Sequence, residues 1–323
     1  MLSGTWSTLQ RRYTGANFKD RSFEKDMMTL LVGVLPSITA RNGVTGRNVV
    51  ARAIEEYYHA GGHKSGSLLT RNRYEVAKKY GLSLEDTARY EVASALATLV
   101  NTAPATFWML FFTYSVHGLL TDIRTELDRV VSQTKYESKT RRIISLQTIK
   151  EKCPLLISTV QETLRYCAIG NSVRQVMQDT VLDGQWLLRK DSLVQMPSRI
   201  IHTDASIWGT NVENFEPRRF LKSSTGPKPG DSSNKRAQAA AFRSFGGGTT
   251  LCPGRQFAMN EMLVITAAFV LQFDLSPVGG IWSMPTTIKS NLAAVVMTPD
   301  TDIDVSVSLR KGFESSALHC TFD

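Results

Sequence analysis

The stretch Phe245-Gly246-Gly247-Gly248-Thr249-Thr250-Leu251-Cys252-Pro253-Gly254-Arg255 constrains this chain more than any other. It places four glycines and one cysteine between Arg243-Ser244 and an apolar run that begins near Phe257. Glycine at this density lets the backbone take positive φ and approach another group closely. A cysteine at the end of such a loop, just ahead of a helix, has its sulfur near backbone N–H groups and the positive end of the helix. Both favour the thiolate, and a thiolate held this way is a good metal ligand. The competing reading is a Gly-rich turn with a small buried cysteine, since free Cys often serves as a core residue.

At 323 residues the chain can be one large domain or two ordinary ones, and 42% apolar residues suffice for a sizeable core. The 38 basic and 29 acidic residues leave a net charge of +9, spread along the chain without a Lys/Arg block. That distribution argues against nucleic-acid binding and suits a mildly basic face toward an acidic redox partner or a membrane surface. Four cysteines, Cys153, Cys167, Cys252 and Cys320, show no C-x-x-C pairing and fit a reducing compartment. Met1 to Asn17 holds no apolar run long enough for a signal peptide or anchor. Ala93 to Leu120 is nearly uncharged and long enough to span a membrane, but Asn101, Thr102, Pro104, Thr113, Ser115 and His117 interrupt it. A buried core helix is the reading preferred here.

Taken in order, residues 1–22 read as an irregular lead-in. Apolar spacing predicts a helix from Phe23 to Leu35 stopped by Pro36, and another from Arg47 to His59. The breaker Gly61 to Gly66 follows, with His63 expected to be solvated. Ser83 and Asp86 form an S-x-x-D capping box, which opens a long helix reaching about Val116. Leu119 to Val131 is amphipathic, and Pro154 starts a further helix through Tyr166. Short strands are predicted at Arg174 to Val176, at Gln185 to Leu188 behind the turn Asp183-Gly184, and at Ser192 to Met196. Lys222 to Ala240 shifts to Ser, Gly, Pro and Lys and reads as an exposed loop insertion. Weak alternation after Pro277 suggests terminal β hairpins. The fold class is mainly α with small β sheets, an α+β fold.

The fixed-offset pattern F-x-x-G-x-x-x-C-x-G, followed by Ala258, resembles the haem-binding loop of the cytochrome P-450 family. The resemblance implies that Cys252 is the axial ligand of a haem iron, where a thiolate favours O–O cleavage. It implies that Phe245, Gly248 and Gly254 frame the cofactor. Glu162 and Arg165 lie at i and i+3 on one helix face, upstream of Asn214-Phe215-Glu216-Pro217-Arg218-Arg219-Phe220, in the family's order. Glu162, Arg165 and Arg219 are therefore expected to form a buried structural network. His202, in His202-Thr203-Asp204-Ala205-Ser206-Ile207-Trp208-Gly209, is expected to be a structural hydrogen-bonding residue. Arg174 falls where the family places a basic residue on a haem propionate.

Three departures from the family pattern stand out. Asn101 and Thr102 occupy the position where most members carry an acid followed by threonine, facing bound oxygen, and Pro104 is expected to loosen the helix there. Asn101-Thr102-Ala103-Pro104-Ala105-Thr106-Phe107-Trp108 looks like the branch of sterol 7α- and 12α-hydroxylases, prostacyclin synthase and their fungal relatives, whose substrates are bulky and apolar. Thr250 stands where many members have arginine, with Arg243 or Arg255 as possible replacements. The match corresponds to the family's middle and rear, so a fold lacking its N-terminal part is expected, with one haem-binding domain over 23–323 and the insertion at 222–240.

The resemblance implies a monooxygenase that uses haem, O2 and electrons from NADPH through a reductase to insert one oxygen atom into a hydrophobic, steroid-, terpenoid- or other secondary-metabolite-like substrate. It also implies an endoplasmic reticulum surface location, although the chain shows no N-terminal anchor. A catalytically silent haem-binding remnant, and a haem-thiolate isomerase or dehydratase needing no reductase, stay open as alternatives.

Overall fold

A computed structural model describes residues 26–136, 139–221, 231–288, 294–314 and 316–322. The chain divides into two compact units, with the boundary between Leu99 and Val100. The predicted lead-in, and residues 222–230 of the predicted insertion, lie outside the described residues.

The first unit holds α1 (Met27–Val32), α2 (Pro36–Thr39), α3 (Arg41–His59), α4 (Leu68–Lys79) and the first half of α5 (Leu84–Ser115). Pro36 does not end the first helix. Gly33 closes α1 at φ 73°, and Pro36 opens α2 at its first turn, where the missing N–H is no loss. Helix α3 starts earlier than its spacing predicts and runs over Gly43. That glycine is a close-approach site: its N–H donates to Asp26 Oδ2 at 2.8 Å, and an added Cβ would lie 2.5 Å from the Asp26 Cβ. His63 is not solvated. It is buried, stacked on Tyr74 at 3.8 Å and tilted against Tyr58 at 5.6 Å, so two aromatic rings take the place of water around it. The capping box at α5 forms as expected, with Ser83 Oγ accepting from the Asp86 N–H at 3.0 Å and donating to Asp86 Oδ2 at 2.7 Å.

The second unit adds α6 (Leu119–Val130), α7 (Leu146–Lys152), α8 (Pro154–Cys167), α9 (Ser198–His202), α10 (Ala205–Trp208), α11 (Asp231–Ala241) and α12 (Arg255–Gln272). Its core is built where the apolar stripes of four helices meet: Trp108 and Met109 of α5, Ile123 and Leu127 of α6, Leu156 and Val160 of α8, Met262 and Val270 of α12. Helix α5 is long and apolar enough to cross a membrane, yet its second half is committed to this core, Trp108 and Met109 being fully buried. Leu99, ahead of that half, stays 64% exposed. Helix α5 is unbroken at Pro104. Part of the predicted insertion is helix α11, since Ala237, Ala239, Ala240 and Ala241 are strong helix formers whatever precedes them.

Strands β1 (Ser132–Tyr136), β2 (Lys139–Ser145) and β9 (Ser316–Thr321) form one sheet, with β1 antiparallel and β9 parallel to β2. Strand β3 (Asn171–Gln175) pairs antiparallel with β6 (Leu193–Pro197), and β4 (Thr180–Leu182) with β5 (Trp186–Leu188). Asp183 and Gly184 between β4 and β5 both take positive φ, 55° and 65°. The C-terminal strands are not local hairpins: β8 (Val305–Leu309) pairs with β7 (Phe273–Pro277), directly after α12, and β9 with β2.

Candidate cofactor site around Cys252

The site starts from α8. Glu162 and Arg165 are one turn apart on its buried face, and each carboxylate oxygen accepts a guanidinium N–H at 2.8 Å. The same carboxylate accepts from Arg219 Nε at 3.1–3.2 Å and from the Glu216 N–H at 2.9 Å. Arg219 Nη1 donates to the Trp208 carbonyl at 2.7 Å and to Asn211 Oδ1 at 2.9 Å. Ser158, one turn before Glu162, donates to the Pro217 carbonyl at 2.6 Å and accepts from the Phe220 N–H at 3.1 Å. The three charges expected to meet are thus together, and they pin the segment from Trp208 to Phe220 onto α8. Each guanidinium nitrogen of Arg165 and Arg219 has an acceptor, so removing one charge would leave the others uncompensated, at a cost of about 3–5 kcal/mol.

From this network the chain is fastened to the glycine loop. His202, fully buried at the end of α9, donates from Nδ1 to the Arg165 carbonyl at 2.9 Å and accepts at Nε2 from the Arg243 N–H at 2.9 Å. Ser244 Oγ donates to the Leu164 carbonyl at 3.0 Å, and Ser198 Oγ to the Arg243 carbonyl at 3.3 Å. Burial holds the His202 imidazole neutral, its pKa pushed down to about 4, with the Arg165 charge acting the same way. His202 is therefore the structural hydrogen-bonding residue its sequence context suggested, and no general base.

The loop itself folds through its glycines. Gly246 and Gly248 take φ of 73° and 62°, a region that side chains avoid. The Cys252 N–H donates to the Phe245 carbonyl at 3.0 Å and closes the turn, while the Phe245 ring packs against the core. The Cys252 sulfur lies against Gly254, the residue before α12, 3.8 Å from where a Cβ would be. It is half-buried, whereas Cys153 and Cys167 are buried in the core and burial pushes their thiols up, Cys153 to about 12. Burial also raises the Cys320 thiol.

Positive charge gathers on this loop. Arg174, on β3, donates from Nη2 to the Gly247 carbonyl at 3.1 Å and to the Thr250 hydroxyl. The Arg243 guanidinium lies against Gly247, where an added Cβ would collide with it, and its buried Nε has no partner among the described residues. Arg255 turns back to the Cys252 carbonyl at 3.1 Å. Between the two candidate replacements for a cation at position 250, Arg243 has the unmet donor. Asn101 and Thr102 sit apart from the loop on α5. Asn101 Oδ1 accepts from the Val295 N–H at 2.9 Å, and the Thr102 carbonyl accepts from the Thr106 hydroxyl at 2.8 Å.

These features fit a haem. Cys252 stands on the loop as a single half-buried thiol, which suits a metal whose other ligands come with it. A porphyrin supplies them, and its carboxylates suit the Arg174 and Arg243 guanidiniums. The cytochrome P450 family model matches residues 67–303. The chain belongs to the cytochrome P450 family. Among curated P450 relatives, the monooxygenase nodJ of Hypoxylon pulicicidum is 36% identical over 294 residues, covering 90% of this chain and 57% of that protein. Cholesterol 7-alpha-monooxygenase of Cricetulus griseus is 26% identical over 265 residues, covering 78% of this chain and 52% of its own. The P450 chain described here thus spans little more than half the length of these relatives. The crystal structure of the cytochrome P450DA haem domain matches the fold with a TM-score of 0.64 at 22% identity, over 91% of this chain and 60% of that one.

Sequence reasoning missed Ser158, Ser198, Ser244 and Asn211 as fasteners of the P450 core. Ser158 carried a signal, lying four residues before Glu162 on the same helix face; Ser198 and Ser244 bond to backbone carbonyls and leave no pattern, and Asn211 meets the Arg219 side chain from eight residues away in irregular chain.

Proposed function

We propose that the chain is a haem-thiolate monooxygenase with Cys252 as the axial ligand of the haem iron. The observation that carries this reading is the placement of Cys252: a thiol against the start of α12, on a turn fastened to the buried Glu162-Arg165-Arg219 network. Haem held by a thiolate supplies oxygen activation, the ligand's electron density favouring O–O cleavage. The protein's part is positioning. Phe245 supports the turn from the core side, and Gly248 and Gly254 leave the backbone room for close approach. Arg174 and Arg243 hold carboxylates by charge-assisted hydrogen bonds.

Asn101 and Thr102 face the oxygen side in this reading. An amide holds a water by hydrogen bonds but cannot ionise, so proton delivery falls to a water and the Thr102 hydroxyl. Ala103 and Phe107 on the same helix offer apolar surface to a hydrophobic substrate of steroid, terpenoid or related secondary-metabolite type. The cholesterol 7-alpha-monooxygenase among the relatives supports that class. Electrons come from NADPH through a reductase. One observation favours a second reading: with Asn101 Oδ1 bonded to Val295 and no acid beside it, an isomerase needing no reductase also suits the site. Turnover without NADPH would separate the two.

The test is the reduced carbon-monoxide difference spectrum of the chain loaded with haem, beside Cys252→Ala. The expected result is a red-shifted, thiolate-type Soret band that disappears in the variant. A spectrum without that band, or one unchanged by the substitution, overturns the assignment of Cys252.

A further inference from the structure

We propose that His202 is a positioning residue for the Cys252 loop, acting through the Arg243 peptide group; the inference rests on the haem-thiolate reading above. The imidazole links the helix of the buried ion pair to the loop through both of its nitrogens. On one side, Arg165 is held by Glu162, donates from Nη1 to the His202 carbonyl at 2.6 Å, and receives the Nδ1–H on its own carbonyl at 2.9 Å. On the other, Nε2 accepts from the Arg243 N–H at 2.9 Å. The partners fix the tautomer: a carbonyl faces Nδ1, so the proton is there, and an N–H faces Nε2, so the lone pair is there. Phe242 stacks on the ring at 5.9 Å and Trp208 meets it edge-on at 6.0 Å, so the imidazole cannot turn.

Arg243 stands at the start of the loop, its N–H in one peptide plane and its carbonyl in the next. Its carbonyl accepts from the Gly246 N–H at 2.9 Å, and the turn it starts ends where the Cys252 N–H meets the Phe245 carbonyl at 3.0 Å. With the Arg243 N–H released, the main chain would be free to turn about the Arg243 Cα, which would undo the first bond and carry Phe245, and with it Cys252, out of place. Ser198 and Ser244 also bond nearby, but a hydroxyl rotates and tolerates small shifts, whereas a clamped ring does not. His202 is therefore where the rigidity of the charge network passes to the turn that carries the thiol.

The geometry predicts that position 202 needs an acceptor at Nε2 and not merely a polar side chain. Glutamine reaches far enough to offer its carbonyl oxygen to the Arg243 N–H; asparagine reaches only as far as Nδ1. The experiment compares the haem-loaded chain with His202→Gln and His202→Asn, following conversion of the thiolate-type carbon-monoxide band to the form without thiolate. The same variants without haem are followed by hydrogen exchange at the Arg243 amide. His202→Asn is expected to lose the thiolate band about tenfold faster than either the parent or His202→Gln, the effect of one buried hydrogen bond. It is also expected to exchange the Arg243 amide about tenfold faster. Equal rates for Asn and Gln, in both measurements, overturn the proposal. If Asn fails to fold, His202→Gln decides: retention of the parent's rates supports the acceptor role, and a loss of band stability overturns it. A parent chain that shows no thiolate band sinks the haem reading and this inference together, whereas a normal parent with identical variants sinks this inference alone.

Discussion

Both nitrogens of His202 are occupied in the fold, and that occupation sets how stability depends on pH. Burial lowers its pKa from 6.5 to about 4, and the Arg165 charge adds to the effect. In the unfolded chain the ring binds its proton near 6.5, so between 6.5 and 4 the unfolded state binds more protons than the native one. Stability from the neutral ring is complete above 6.5 and is lost as pH falls toward 4. The expected loss between about pH 7.5 and about pH 5 is about 2 kcal/mol. Glutamine at 202 does not titrate. The stability gap between the parent and His202→Gln, from urea unfolding at the two pH values, should therefore shrink by about that amount on acidification. A gap that stays constant would show that His202 is not held neutral. At this scale the sequence was informative wherever function uses side chains in a fixed order: Glu162, Arg165 and Arg219 were legible as a network before any coordinates. The path through His202 was not, because it runs through the backbone of Arg165 and Arg243, and a backbone acceptor is the same whatever residue carries it.

At the scale of elements, helix starts were legible from caps that lie nearby, such as Ser83 with Asp86 and Pro154 at the first turn of α8. The capping group itself was illegible where it comes from elsewhere in the chain. Nothing local satisfies the first N–H groups of α8, since the Cys153 side chain makes no cap bond. Glu126 of α6 does it instead, its carboxylate accepting from the Leu155 N–H at 2.9 and 3.1 Å and from the Leu156 N–H at 3.1 Å. Burial raises the Glu126 carboxyl pKa, and those two N–H groups pull it back. Glu126→Ala strips the cap and is expected to cost about 1–2 kcal/mol, read from the urea midpoint. A midpoint equal to the parent's would mean that water caps α8 as well as Glu126 does. The same contrast explains α11. Its alanines favour helix locally, but the Ser, Gly, Pro and Lys around them dominated a reading by composition.

At the scale of the molecule, the helical fold class could be read from periodicity, while the sheet pairings could not. Alternation marks a strand without naming its partner, and β2 finds β9 from the far end of the chain. The division into two units was likewise invisible, since α5 runs through the boundary without a break. That division gives the haem reading a thermodynamic consequence. Every residue proposed for the site, from Asn101 to Gly254, belongs to the second unit. Haem at a hundred times its dissociation constant stabilises whatever binds it by about 2.7 kcal/mol. Amides that exchange only when the second unit unfolds should therefore slow about a hundredfold on adding haem. The effect should shrink in Cys252→Ala, because the sulfur–iron bond is lost while the arginine contacts remain. Amides of α3 and α4 report on the first unit. If they slow equally, the two units unfold as one; if they do not, each holds its own stability. No slowing anywhere in the second unit would show that the chain does not bind haem at all.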